Sequence, residues 1–174
     1  KGPTYMGPFF VQKKMKTKRI IFYILFSIIL FSCENKKVEI KKLSPNEYKT
    51  TIKKGKQKKM IHFWASYCQP CIEEFPELIE YCNNEKILLI NISSDKSDSK
   101  MQENMEKIML RLKIKNSYII NFNSLYPNGT KNVNLLEDFC KKAGIKNWGN
   151  PYYILVDEKG NTIKESSELK NIKN

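Results

Sequence analysis

Two cysteines, Cys68 and Cys71, stand two residues apart in the stretch Trp64-Ala65-Ser66-Tyr67-Cys68-Gln69-Pro70-Cys71. A dithiol that swaps electrons with another disulfide needs one reachable, acidic thiol and one shielded thiol that resolves the mixed disulfide. Two intervening residues at the start of a helix meet both needs. Cys68 is expected at the helix entrance, where unpaired N–H groups and the helix dipole favour a thiolate. Cys71, almost one turn later, is expected to face inward. Pro70 lacks an N–H but falls in the first turn, where none is required.

The elements that must hold these thiols are legible on either side. Lys58 to Trp64 is an apolar run that reads as the delivering strand. Ile72, Phe75, Leu78, Ile79 and Cys82 recur at helical spacing, so a helix is expected from about Cys68 to Asn83, kinked at Pro76. Upstream, Ser44-Pro45-Asn46-Glu47 carries a capping box with proline at the first helical position, and Gly55 ends that helix. Downstream, 87–92 is a short continuous apolar strand, and Met101, Met105, Ile108, Met109 and Leu112 mark a core-facing helix. Tyr118 to Phe122 reads as a strand and 123–132 as a loop. Val133, Leu136, Phe139 and Cys140 mark a further helix closed near Gly144. Two strands follow, Tyr152 to Val156 and Asn161 to Lys164, joined by Asp157-Glu158-Lys159-Gly160 as a hairpin. The tail from Ser166 is short and helical. The alternation followed by a hairpin gives an α/β fold with a mixed sheet flanked by helices on both faces.

Taken together, Trp64-Ala-Ser-Tyr-Cys-Gln-Pro-Cys-Ile-Glu-Glu-Phe-Pro resembles the active site of the TlpA/ResA-like thiol–disulfide oxidoreductases. The resemblance extends over roughly residues 44–165 and implies a thioredoxin-like mixed sheet with a central helix-strand insertion. It implies that Cys68 and Cys71 are catalytic and that a proline in the cis form lies beside them. Pro151, followed by Tyr-Tyr-Ile-Leu-Val-Asp-Glu-Lys-Gly, matches that position. A cis proline leaves the backbone before it free to pair with a client chain as an added strand. Trp64, Tyr67, Pro70, Asn150 and Pro151 are therefore the candidate substrate contacts. Glu74 matches the family's buried glutamate. It lies three residues after Cys71 on the same helix face, where a half-buried carboxyl would shuttle the Cys71 proton and an exposed one would be a plain surface charge. His62, the one histidine in the chain, occupies the place of a buried aspartate in thioredoxin. It is either a proton acceptor for Cys71 or a packed polar residue.

The resemblance implies no cofactor beyond the Cys68–Cys71 disulfide and no metal. The residues agree on zinc, because no second Cys-x-x-Cys accompanies the first. It implies partners of two kinds, client proteins with disulfides and an upstream thiol donor that restores the dithiol. Two other readings stay open: a thioredoxin-like docking module without turnover, and a thiol peroxidase. The peroxidase lacks support, since Ala65 stands where a threonine or serine would precede the reactive cysteine. Cys82 and Cys140 sit on apolar helix faces, either as buried free thiols or as a pair.

The amino-terminal part carries a different signal. Met15-Lys16-Thr17-Lys18-Arg19 is basic, Ile20 to Phe31 is apolar save for Ser27, and Leu30-Phe31-Ser32-Cys33 resembles the lipobox of bacterial lipoproteins. We expect residues 1–14 to be an upstream extension outside the native protein, 15–32 a signal peptide, 33–42 a tether lipidated at Cys33, and 43–174 the folded domain. That layout implies a lipid anchor in the cell envelope, outside the cytoplasm. The formal charge of +13 is uneven: residues 1–32 hold six of the 31 basic residues and none of the 18 acidic ones. Beyond them the excess is lysine, with Arg111 as the one arginine. Base readout leans on arginine, so nucleic acid is not expected as a partner.

Overall fold

The computed structural model describes residues 2, 38–97, 99–129 and 134–174. The chain divides into two compact units, Lys1–Asn35 and Lys36–Asn174. The described strands and helices lie in the second. The expected upstream extension apart from Gly2, the signal peptide, Cys33, the first part of the tether and Val133 fall outside the described residues.

The elements in chain order are β1 (Glu39–Leu43), α1 (Pro45–Thr51), β2 (Lys59–Trp64), α2 (Gln69–Asn84), β3 (Leu88–Ser93) and α3 (Lys100–Arg111). Then come β4 (Asn116–Ile120), α4 (Phe122–Leu125), α5 (Leu135–Ala143), β5 (Tyr152–Val156), β6 (Thr162–Ser166) and α6 (Leu169–Lys173). The six strands form one sheet in the order β1-β4-β3-β2-β5-β6. The first four of that order run parallel, while β5 and β6 are antiparallel to their neighbours. The α3–β4 unit is the expected insertion, with β4 wedged between β1 and β3.

Both faces of the sheet are covered, which is why the central strands read as nearly unbroken apolar runs. Met60 and Trp64 of β2 point to one face, where α2 contributes Cys71, Phe75, Leu78 and Cys82, α3 contributes Met105 and Met109, and α6 contributes Leu169 and Ile172. Ile61 and Phe63 point to the other, packed with Tyr48 of α1 and with Leu136, Phe139 and Cys140 of α5. The methionine spacing of α3 is thus that of a packed helix.

Several boundaries depart from the sequence expectation: the first helix ends at Thr51, ahead of Gly55, the last strand runs on to Ser166, and β1 and β4 differ most. Residues 39–42, expected as tether, form most of β1 and pair in parallel with Asn116–Ile119. Only Leu43 of β1 is buried, and its lysines face water. A charged edge strand shows no apolar period, and its charges discourage a further strand from adding to it. For the same reason β4 begins at Asn116 rather than Tyr118: its polar first residues pair with β1 and carry no hydrophobic signal. The strand also stops two residues early. Asn121 stands at the start of the short helix α4, and Phe122 leaves the sheet and packs on Tyr126.

Helix signals were more reliable. The Ser44 side chain accepts from the Glu47 N–H at 3.3 Å while the Glu47 carboxylate takes the Ser44 N–H at 2.8 Å. Those Ser44 contacts hold the Glu47 carboxyl below its usual range. Helix α2 continues through Pro76. Gly144 closes α5 in the left-handed conformation at φ 81°, which glycine adopts without steric cost.

Candidate active site

Strand β2 ends at Trp64, and the chain makes one turn before α2 starts. Cys68 is the capping residue of α2, and its backbone N–H donates to the Ala65 carbonyl at 3.0 Å. Cys68 and Cys71 are joined as a disulfide with an S–S distance of 2.03 Å. The Cys71 N–H donates to the Cys68 sulfur at 3.3 Å. The helix entrance therefore offers the outer sulfur a hydrogen bond directly, as the dipole argument requires.

Cys71 is fully buried, as expected of the resolving thiol, but Cys68 is only 6% exposed. The expectation of an openly exposed Cys68 is corrected in degree: the outer sulfur is folded against the helix entrance by its bond to Cys71. Its surroundings are open, since Tyr67 is 67% exposed and Gln69 and Pro70 also face solvent. Trp64 is the second correction. Named as a substrate contact, it is fully buried, with its ring edge-on to Phe75 at 4.9 Å. It packs in the core beneath the loop. All six residues of β2 are buried, so a residue that still belongs to that strand lies in the core and not on the rim.

Asn150 and Pro151 are half-buried and joined by a cis peptide bond. The register brings them to the dithiol end of the sheet, because Phe63 pairs with Tyr152 and the next step along β5 toward its start reaches Pro151. The Asn150 amide donates to the Ser94 hydroxyl at 2.8 Å, while its side-chain oxygen has no partner.

Glu74 and His62 meet through a residue that the sequence reading passed over. Glu74 is half-buried and accepts a short hydrogen bond from the Tyr153 hydroxyl. Burial, chiefly, and this carboxylate push the Tyr153 phenol above its usual range. The Tyr153 ring stacks on His62 at 4.9 Å, as the cross-strand pairing of the two residues dictates. His62 is fully buried, edge-on to Phe75 at 4.7 Å, with Nδ1 3.2 Å from the Asn91 side-chain oxygen. Facing an acceptor, Nδ1 carries the proton and Nε2 is left as a bare acceptor without a partner. Burial pulls the His62 pKa down to about 3, against a small opposing effect of Asn91. The ring is thus neutral at physiological pH and can only accept a proton at high cost.

Asp95 is the other residue the sequence reading missed. Fully buried just after β3, its carboxylate accepts from the Ser66 N–H at 2.9 Å, the Ser66 hydroxyl at 3.0 Å and the Ser93 hydroxyl at 2.7 Å. Burial raises its pKa, and these donors lower it in part. In sequence the stretch 93–99 is simply polar and carries no local sign of this role. The available signal was topological: in parallel sheets, working groups gather beyond the carboxyl ends of the strands.

Cys82 and Cys140 are free thiols buried on opposite faces of the sheet, each pushed up to about 12 by burial. They are not paired with each other. Among the described residues there is no group of three or more metal-ligating side chains, and no helix long and apolar enough to cross a membrane.

Known proteins share features of this chain to the following extent. The thioredoxin family model matches residues 39–120, a span that holds both cysteines and stops short of Pro151. The thioredoxin domain of a thiol-disulfide oxidoreductase from Bacteroides vulgatus superposes with a TM-score of 0.53 at 20% identity, covering 72% of this chain and 79% of that one. A thioredoxin-family thiol:disulfide interchange protein from Chlorobium tepidum gives a TM-score of 0.47 at 14% identity, over 77% of this chain and 88% of that one. An exposed lipoprotein thioredoxin from Streptococcus pneumoniae gives 0.46 at 14% identity, over 71% and 84%. No curated protein sequence matches the chain.

Proposed function

We propose that this chain, whose residues 39–120 match the thioredoxin family model, is a thiol–disulfide oxidoreductase of the TlpA/ResA kind that reduces disulfides of client proteins. The observation that carries the reading is the Cys68–Cys71 disulfide at the entrance of α2, with the outer sulfur hydrogen-bonded to the helix backbone and set among solvent-facing Tyr67, Gln69 and Pro70.

The reaction runs from the reduced dithiol. The Cys68 thiolate attacks one sulfur of a client disulfide, and the other client sulfur leaves as a thiolate. Cys71 then loses its proton and attacks Cys68. The client's second thiolate departs, and the Cys68–Cys71 bond forms. Two electrons pass to the client, and an upstream dithiol must return them. Glu74, one helical turn from Cys71, is the carboxylate for the Cys71 proton, held in place by Tyr153. Neutral His62 packs beneath as a stacking partner of Tyr153 rather than as a charge. Tyr67, Pro70, Asn150 and Pro151 form the client-facing rim.

The setting we propose is the cell envelope, with the domain tethered through a lipid on Cys33 after removal of residues 15–32. The support is the basic, apolar and Leu-Phe-Ser-Cys succession in the sequence. A dithiol outside the cytoplasm depends on a dedicated donor to stay reduced. The activity is tested by insulin reduction with dithiothreitol as donor. The wild type should turn over and Cys68→Ser should not; equal rates would refute the reading. Metabolic labelling with a fatty-acid probe, lost in Cys33→Ala, tests the anchor.

A further inference from the structure

The residues that fix the dithiol loop and those that fix the proline edge come from one dipeptide, Ser94-Asp95. Strand β2 has β3 on one side and β5 on the other, and Trp64 pairs with Ser93. The chain leaving β3 and the chain entering β5 therefore arrive at the same end of the sheet as the dithiol loop. Ser94 donates its N–H to the Trp64 carbonyl at 2.9 Å. Its hydroxyl reaches the same carbonyl at 3.4 Å while accepting from the Asn150 amide at 2.8 Å. That one hydroxyl thus bridges the start of the dithiol loop and the residue before Pro151.

Asp95 ties the loop to the end of β3. Both carboxylate oxygens are used, one toward the Ser66 N–H and hydroxyl and the other toward the Ser66 N–H and the Ser93 hydroxyl. Among the described residues no lysine or arginine pairs with it. A fully buried carboxylate satisfied only by hydroxyls and one amide is expensive to keep. A neutral turn residue would cap β3 at lower cost. What a carboxylate adds is acceptors on both sides, which lock Ser66 by its backbone and side chain at once. Ser66 lies two residues before Cys68, so its position sets where the outer sulfur sits.

We propose that Asp95 and Ser94 are separate positioning residues for disulfide exchange: Asp95 sets the reactivity of Cys68 and Ser94 sets the capture of the client chain at Asn150-Pro151. The assignment rests on the oxidoreductase reading for its client half only. It gives two neighbouring residues different kinetic signatures, which a shared structural role would not.

The test compares Asp95→Asn and Ser94→Ala with the wild type in two assays, the rate at which the reduced protein reacts with oxidised glutathione and the KM and kcat for insulin. In Asp95→Asn one acceptor becomes a donor facing Ser66, and the glutathione rate should fall about ten-fold from misplacement of the sulfur. In Ser94→Ala the glutathione rate should fall by less than in Asp95→Asn, while the insulin KM rises about five-fold for one lost hydrogen bond at the edge. Asp95→Ser, whose shorter side chain sets its hydroxyl back from Ser66, should slow the glutathione reaction at least as much and is the second variant if the one with asparagine folds poorly. A glutathione rate unchanged in both Asp95 variants, or an insulin KM unchanged in Ser94→Ala, overturns the assignment. A wild type that reacts with glutathione but not with insulin refutes client reduction instead, and leaves the Asp95 half standing on its own rate.

Discussion

The phenol ring of Tyr153 lies flat on the imidazole of His62, with centroids 4.9 Å apart and planes 5° from parallel, while its hydroxyl donates to Glu74. One side chain on β5 thus joins the buried histidine of β2 to the carboxylate of α2. Each half of that link can be cut separately. Tyr153→Phe keeps the ring stack and removes the donor to Glu74. Insulin turnover should fall about three- to ten-fold, a fraction of a general-base contribution, with a stability loss of about 1 kcal/mol. The double variant with Glu74→Gln should be no slower than Glu74→Gln alone, because both changes remove one interaction. Additive losses in the steady-state rates would show that Tyr153 acts elsewhere.

His62 makes stability depend on pH in a defined direction. Its folded pKa, about 3, lies below the ordinary 6.5, so the unfolded chain binds a proton that the folded chain refuses. The contribution of the neutral ring is complete above the unfolded value and is lost as pH falls from there toward about 3. The full loss is on the order of 5 kcal/mol. His62→Phe preserves stacking and cannot titrate, so urea melts between about pH 7 and pH 4 should show a shallower slope than the wild type. Equal slopes would contradict the buried neutral assignment.

Trp64 and Tyr67 are three residues apart and should answer to different assays. Trp64 is fully buried against Phe75. Trp64→Ala should cost about 3–5 kcal/mol of stability, read by chemical denaturation. Tyr67 stands in solvent, and Tyr67→Ala should leave stability within about 0.5 kcal/mol while raising the KM for insulin. A large stability loss for Tyr67→Ala would remove it from the client-facing rim.

Cys82 and Cys140 should be chemically silent in the folded protein. Burial pushes both thiols up to about 12, and they sit in separate cores. Native labelling with iodoacetamide followed by peptide mass mapping should modify neither until denaturant is added. Cys82→Ser and Cys140→Ser should leave exchange rates unchanged.

Much of this arrangement was legible in the sequence because it is local. The strand into Cys68, the capping box at Ser44 and Glu47, and the face of α2 are each set by residues within one or two turns. Pro151 was readable only because its sequence neighbourhood resembles a known family. What stayed hidden was set by partners distant in the chain. β1 is a strand because β4 lies beside it, and its own lysines give no sign of that. Tyr153 looked like one more apolar strand residue until the antiparallel register set it on His62. Asp95 looked like turn polarity until the end of β3 met Ser66. Trp64 differs for the complementary reason: its place in the motif suggests the rim, and its membership of the fully buried strand β2 puts it in the core.

The central claim is that Cys68 attacks clients and Cys71 releases them. Cys71→Ser removes the resolving sulfur and should leave the attack intact. Incubated with denatured, disulfide-bearing insulin, the reduced variant should accumulate a covalent adduct through Cys68 that dithiothreitol dissolves and that Cys68→Ser/Cys71→Ser does not form. If no adduct accumulates, or if peptide mapping finds the insulin chain on another cysteine, the assignment of Cys68 as the attacking thiol is wrong.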